Sequence, residues 1–337
     1  MKLNREILCI AIFLIIAAGY PLFGPSPYNI RGFLSWFMGN PVQGFDPELA
    51  LKIISELRLP RLIAGLLCGS ALAVAGVLSQ GLFRNPLAAP GVLGFSGGSS
   101  LFVLILYTSG IQWLPEISVP LVAFAGAVIS SLILLMLTKK FHEHGFGYLL
   151  LSGMALSSLW GALNSFFISV SLEKYQVLQA MMRWLLGGLN AATWENLWWS
   201  LIPFIAGLWW AYRLARKLDV LALGQEVAQS LSVDVQVLKF QCIACMSLLV
   251  GMVVSMAGPL PFVGLIVPHI TRMMMGPSHG RLMVFSMLNG AVLIMTADFL
   301  CRTLFVPGEL ELGVLTSLLG APFFFWLLCH RKKEVFC

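Results

Sequence analysis

Long apolar runs, separated by short polar links, constrain this chain more than any other feature. From Val122 to Leu137 it carries no charged residue, and comparable runs recur from end to end. A spanning helix needs about 20 mostly apolar residues. Windows of that kind fall at 6–23, 60–82, 92–110, 117–138, 148–170, 197–213, 237–256, 259–275, 283–300 and 312–329. Barrel strands alternate polar and apolar residues, and these runs do not. The expected fold is an all-α polytopic membrane protein of about ten transmembrane helices, as a single domain over residues 1–337.

Composition excludes other classes. Of 337 residues, 58% are hydrophobic and 11% charged, with a mean hydropathy of +0.88. A soluble domain carries about 25% charged residues, so a soluble enzyme, a disordered chain and a nucleic-acid binder are all ruled out. The net charge of +6 is scattered between the apolar runs. With ten spans, Arg31, Lys52, Arg58, Arg61, Lys174, Arg183 and Arg302 fall on one side and the other 14 of the 21 Lys and Arg on the opposite side. The positive-inside rule places those 14, and both termini, in the cytoplasm. Residues 24–59 then lie outside and residues 214–236 inside. Within 214–236, Gln225–Leu231 is expected to form a short amphipathic helix with Val227 and Leu231 on one face. Lys2 and Arg5 precede the apolar run Ile7–Ala18, which reads as a retained first span rather than a cleaved signal.

Catalytic and metal motifs are sparse. There is no G-x-x-x-x-G-K-[ST], so the chain is not itself a P-loop motor, and H-E-x-x-H and G-x-S-x-G are missing too. Cys242-x-x-Cys245 lies in an apolar run with no second pair and reads as helix packing. His269 and His279 read as hydrogen-bonding or capping residues, and His142 and His144, flanking Glu143, as a solvated turn. No metal and no cofactor are expected. Asp298 and Arg302, four residues apart near the outer end of the ninth span, read as a local ion pair. Arg58 and Arg61 read either as interfacial anchors or as receptors for acidic groups on a partner. Gly65-x-x-x-Gly69 reads as close helix packing within one subunit. Two proline- and glycine-rich breaks, Asn85–Gly91 and Gly258–Phe262, interrupt the helices. Backbone freed there must be satisfied by protein or line a cavity.

Several of these segments occur together in one known family. Arg58-Leu-Pro-Arg61, Gln80 and Arg84-Asn-Pro-Leu-Ala-Ala-Pro-Gly-Val-Leu-Gly94 resemble the opening signature of the permease subunits of iron–siderophore, haem and cobalamin ABC importers, the type II importers. Trp184-Leu-Leu-Gly-Gly188, Leu221-Ala-Leu-Gly224 with Ala228 and Leu231-Ser-Val233, Phe262–Arg272, Ala297-Asp298 with Arg302, Glu309-Leu310 with Gly313, and Gly320-Ala-Pro-Phe323 continue the likeness. The resemblance implies a binding-protein-dependent permease in the bacterial inner membrane. It would work as a homodimer above two ABC ATPase subunits, which bind the ATP, and below a periplasmic substrate-binding protein. The cargo would be a metal chelate or a related metal-containing solute such as molybdate.

Site residues follow from the same resemblance and from placement. Arg58, Arg61 and Arg302 are expected to dock the binding protein. Asn85, Pro86 and Leu87, with a loop at Gly145, Phe146 and Gly147, are expected to form the cytoplasmic gate. Leu223, Gly224, Glu226, Val227, Ala228 and Leu231 are expected to couple to the ATPase. Ser232 stands where the family usually has Gly, and Glu311 where it usually has Pro. Gly145–Gly147 lacks the hydroxyl residues of the cobalamin permease, which weakens cobalamin as cargo. Two other classes fit the sequence less well. An ion-gradient-driven secondary transporter places ionisable groups near the membrane midplane, and Asp298 lies near an end. A membrane enzyme needs a convergent His, Cys or carboxylate cluster, which the sequence lacks.

Overall fold

A computed structural model describes residues 2–22, 35, 37–38, 46–110, 118–140, 145–304 and 308–330. The described residues with regular structure are helical. In order they are α1 (Lys2–Gly19), α2 (Pro47–Ile53), α3 (Leu59–Leu82), α4 (Phe95–Ser109), α5 (Ser118–Lys140), α6 (Gly145–Val170) and α7 (Tyr175–Leu186). Then follow α8 (Trp194–Ala222), α9 (Gln225–Ser230), α10 (Val235–Ala257), α11 (Val263–Met275), α12 (His279–Leu304) and α13 (Leu312–His330). Each of the ten apolar windows falls on a helix, so the all-α polytopic architecture holds.

Local chemistry starts several of these helices. The Asp46 side chain accepts from Glu48 N at 3.0 Å, and Pro47 occupies the first turn of α2. The Asp234 carboxylate accepts from Gln236 N and Val237 N at 2.8 and 3.0 Å to open α10. Thr193 Oγ1 accepts from Asn196 N at 3.3 Å to open α8. Each cap satisfies donors that a helix start leaves unpaired.

The helix limits differ from the apolar windows in ways that matter for the site. Residues 47–58, read as part of an outer link, are helical, and α2 joins α3 through one π turn at Ile54–Arg58. The helix α8 continues to Ala222, so the first part of 214–236 is helix rather than loop. Residues 259–262 are not helical, which makes α11 only 13 residues long. Gly145–Gly147 forms the first turn of α6, not a loop. His142, Glu143 and His144 lie outside the described residues.

The centre of the bundle is α3, whose side chains are almost all buried from Ala64 to Leu82. It packs against α12, α11, α10 and α8. Gly69 and Gly290 meet where α3 crosses α12. A Cβ on Gly69 would fall on the Gly290 carbonyl, and one on Gly290 on the Gly69 carbonyl. A Cβ on Gly76 would likewise fall on the Gly264 carbonyl of α11. In lipid, helices gain little from burying apolar groups, so such backbone contacts supply the dispersion that holds them together. Gly65-x-x-x-Gly69 therefore serves packing within the subunit, with Gly65 facing Ile294, Met295 and Leu189 at 3.4–3.6 Å.

This difference in room generates a test. Gly69→Ala and Gly290→Ala should each lower stability by more than about 2 kcal/mol, because backbone cannot yield. Gly65→Ala should melt near the parent. Thermal unfolding of the purified variants in one detergent reads this directly, and equal melting of all three would refute the contact.

Candidate functional site

The sequence-predicted residues occupy three levels along the bundle. At the end holding the start of α3, Asp298 of α12 is fully buried. It accepts Arg61 Nε at 3.0 and 3.1 Å and Arg61 Nη2 at 2.8 Å. Arg302 Nε lies 3.1 Å from its other oxygen, and the Tyr20 hydroxyl donates to it. Arg61 also reaches Glu309 at 3.2 Å. Arg58 Nη1 donates to Pro21 O at 2.9 Å. The expected Asp298–Arg302 pair is present, and Arg61, distant in sequence, completes it. Arg58 and Arg302 are only 6% exposed. Those two are turned inward around Asp298 and Tyr20, while Arg61 keeps an edge near the surface beside Glu309.

Midway along α3 the two helix breaks meet. After α3 the chain turns at Arg84, whose φ is 50°. Asn85 Oδ1 then accepts Leu87 N at 2.9 Å, and Asn85 O accepts Ala88 N at 3.0 Å. A 3-10 turn at Pro90–Leu93 follows. A Cβ on Gly264 would lie 2.9 Å from Leu72 O and 3.0 Å from Pro90, so Pro90 stands at the level of Leu72. Leu72 is about 15 Å back from the end of α3. The link 83–94 thus folds back into the bundle, and α4 and α11 both begin at mid-depth. Leu87, Pro90, Leu260, Phe262 and Phe324 help to line one apolar cavity of about 540 Å³ between the two breaks. Phe262 takes φ 63°, a strained value for a bulky residue. Its ring fills the place a side chain on Gly320 would occupy.

Above the second break the freed backbone is tied down. Gly188 N donates to Ala257 O at 2.8 Å, and Gly313 N to Gly187 O at 3.2 Å. The Trp184–Gly188, Gly258–Phe262 and Gly313 motifs, far apart in sequence, are therefore one joint. Glu311 lies beside it, and burial pushes its carboxyl above the ordinary range against the pull of Arg183.

The structure does not bring all gate candidates together. Asn85 is exposed at the end of α3, Pro86 follows it, and Leu87 enters the cavity. Gly145, Phe146 and Gly147 do not line it. Phe146 instead holds the buried Lys239 ammonium 4.5 Å from its ring centre. The contact of α6 with the folded-back link lies farther along, where Ser157 Oγ donates to Val92 O at 3.0 Å. The joint and Phe262 were missed as site elements, although their glycines and prolines were visible.

At the opposite end, α9 forms between Gly224, at φ 130°, and Ser232, at φ 61°. Val233 N closes the helix on Ala228 O at 2.9 Å, a C-cap geometry that favours Gly at the left-handed position. Ala228 is buried. Leu223, Val227 and Leu231 are 67%, 41% and 57% exposed; Val227 and Leu231 are one turn apart, while Leu223 lies before the break at Gly224. Nearby, His279 Nδ1 and Asp219 lie 2.7 Å apart, and Asp219 also accepts His279 N at 2.8 Å. Asp219 thus caps the first turn of α12, and His279 is a hydrogen-bonding residue. Cys242 and Cys245 are buried in the α8–α10 contact, with Cys245 Sγ 3.3 Å from Gly207 O.

A family model described as the FecCD transport family matches residues 8–330. The hemin transport permease of Yersinia pestis is 37% identical over 83% of this chain and 84% of its own length. The Fe(3+) dicitrate transport permease of Escherichia coli K12 is 39% identical over 83% and 86%. A vitamin B12 import permease of Escherichia coli O6:H1 is 33% identical over 98% and 96%. Among solved structures, an inward-facing metal-chelate type ABC transporter superposes with a TM-score of 0.82 at 26% identity. It covers 98% of this chain and 100% of its own.

Two outcomes follow from the end clusters. Asp298→Ala leaves Arg61 and Arg302 without their shared carboxylate and should cost about 3–5 kcal/mol. Ser232→Gly removes the left-handed penalty and should stabilise by about 1 kcal/mol. Melting temperatures in a common detergent check both, and no loss on Asp298→Ala would show that the cluster is not holding the helices.

Proposed function

This chain belongs to the FecCD transport family, and on that premise we propose that its cargo is a metal chelate passing by way of the mid-depth cavity. It is a multi-pass membrane permease subunit of an ABC importer, in a family that works with ATPase subunits and a substrate-binding protein. Its part is to form a path, while a partner supplies ATP hydrolysis. The relatives are named for hemin, ferric dicitrate and vitamin B12, which are bulky metal chelates. We assign this chain the same cargo class.

The observation that carries the reading is the convergence of two separate helix breaks on one apolar cavity. Broken backbone at membrane depth is tolerated only where protein buries it or it lines a cavity. The lining offers apolar side chains and no cluster of polar ligands. A path that must release what it receives is served by such weak contacts. The family resemblance favours a homodimer with the path between copies. Two ATPases would sit under the pair. The end rich in Lys and Arg would face the cytoplasm with both termini, in the inner membrane of a bacterium.

The end clusters acquire roles within that scheme. The Arg58–Arg61–Asp298–Arg302 collar fixes the outer ends of α3 and α12. Arg61, with Glu309, is the outer charge left in reach of a docked binding protein. Leu87 and Phe262 take the gate role at the two mouths of the cavity, with Asn85 and Pro86 stiffening the inner one. Leu223, Val227 and Leu231 form the apolar face presented to the ATPase, while Gly224 and buried Ala228 anchor α9 to the bundle.

Uptake into proteoliposomes holding the permease with the ATPase and binding protein encoded beside it tests the cargo. Accumulation of haem, ferric citrate or cobalamin is expected. A binding protein that carries a metal-free solute would overturn the assignment. Coupling has its own test. Val227→Asp with Leu231→Asp should weaken ATPase retention by about 2 kcal/mol, roughly 30-fold. Stimulated ATP hydrolysis should fall with it while the permease melts as before. Undiminished retention and hydrolysis would exclude α9 as the coupling element.

A further inference from the structure

At the end of the molecule rich in Lys and Arg, a groove of about 660 Å³ runs between the last turns of α8 and the first turns of α12. Arg213 and Arg216 of α8 and Arg281 of α12 stand in its walls with Trp209, Tyr212 and Val284. Two independent features say what it would hold. The first is charge. Arg281 pairs with Glu6 of α1, and Asp219, also in the wall, accepts from His279 N and lies 2.7 Å from His279 Nδ1, one carboxylate in a wall that holds three arginines. Among the described residues no carboxylate pairs with Arg213 or Arg216, and Arg213 lies 4.6 Å over the Trp209 ring.

The second feature is the surface leading into the groove. Trp198, Ile202, Ile205, Trp209 and Tyr212 are all exposed, and they recur every three or four residues, so they share one face of α8. That face is an apolar stripe on a helix that carries the expected span 197–213, and it runs into Arg213 and Arg216. Apolar surface ending in interfacial aromatics and unpaired cations matches an amphiphile with acyl chains and an anionic head. We propose that this groove binds the phosphate headgroup of an anionic glycerophospholipid, with its chains lying along the α8 stripe. A soluble anion would use the arginines but not the stripe. The ATPase-facing residues of α9 are not part of the groove, so the proposal stands apart from cargo and coupling.

Native mass spectrometry of the full-length permease, with phosphatidylglycerol or phosphatidylcholine of matched chains added, tests it. Phosphatidylglycerol should be retained over phosphatidylcholine. Arg213→Gln with Arg216→Gln should reduce that retention by about fivefold per arginine. Lys217→Gln, the same charge change on the same helix but outside the groove, should leave it intact. Arg213→Gln alone reports the smaller loss if the double variant fails to fold. Equal retention of the two lipids, no loss in the arginine variants, an equal loss in Lys217→Gln, or displacement by millimolar inorganic phosphate would each overturn the proposal.

Discussion

The contact of Gly69 with Gly290 sets the register for much of the rest. The helices α3 and α12 cross there backbone to backbone, and they run antiparallel. Eight residues outward from the crossing on each helix stand Arg61 and Asp298, each about 12 Å away. The bidentate pair at 2.8–3.1 Å therefore needs no adjustment once the glycines meet. Toward the other end, Gly76 sets Gly264, and so the start of α11, against the middle of α3. Two close approaches on α3 thus fix the arginine collar and the depth of the cavity, and a side chain at either would separate the helices there.

The buried collar changes what the outer arginines mean. A surface pair contributes about 0–1 kcal/mol, whereas removing one partner of a buried cluster costs several times that. Tyr20 and Pro21 join α1 to the same cluster, so the first helix is pinned by the chemistry that closes α3 on α12. Docking on this end would act on Arg61 and Glu309, and through them on a charge network shared by three helices.

Much of the architecture was legible because its causes are local. Apolar runs mark the spans, Pro and Gly mark the two breaks, and Gly224 with Val227 and Leu231 marks the α9 helix. What was not legible depends on distant partners or on polarity misread as structure. Arg61 meets Asp298 across 237 positions, and no local pattern says which of several outer arginines will be buried. Arg213, Arg216 and Lys217 end a hydropathic run but not a helix, since charged residues are good helix formers; hence α8 runs on to Ala222. Gly145 and Gly147 suggested a loop, yet they lie in the first turn of α6, where Phe146 between them packs against the core. The amphipathic α7 was hidden because its polar face interrupts any window long enough to signal a span.

The three levels share one mechanical element. The helix α10 starts at the Asp234 cap, directly after α9, and ends at Gly258 in the joint with Gly187 and Gly313. It contains no proline and is buried along most of its length, so it has no proline hinge at which to bend. Four residues beyond its end lies Phe262, held at a strained φ with its ring in the notch at Gly320. A push on the exposed face of α9 would therefore arrive at the one cavity residue that already stores backbone strain. Strain of about 1–3 kcal/mol at such a position lowers the cost of a second arrangement. A ring that left its notch would vacate the space beside Gly320, which is the kind of change a gate in this cavity would need.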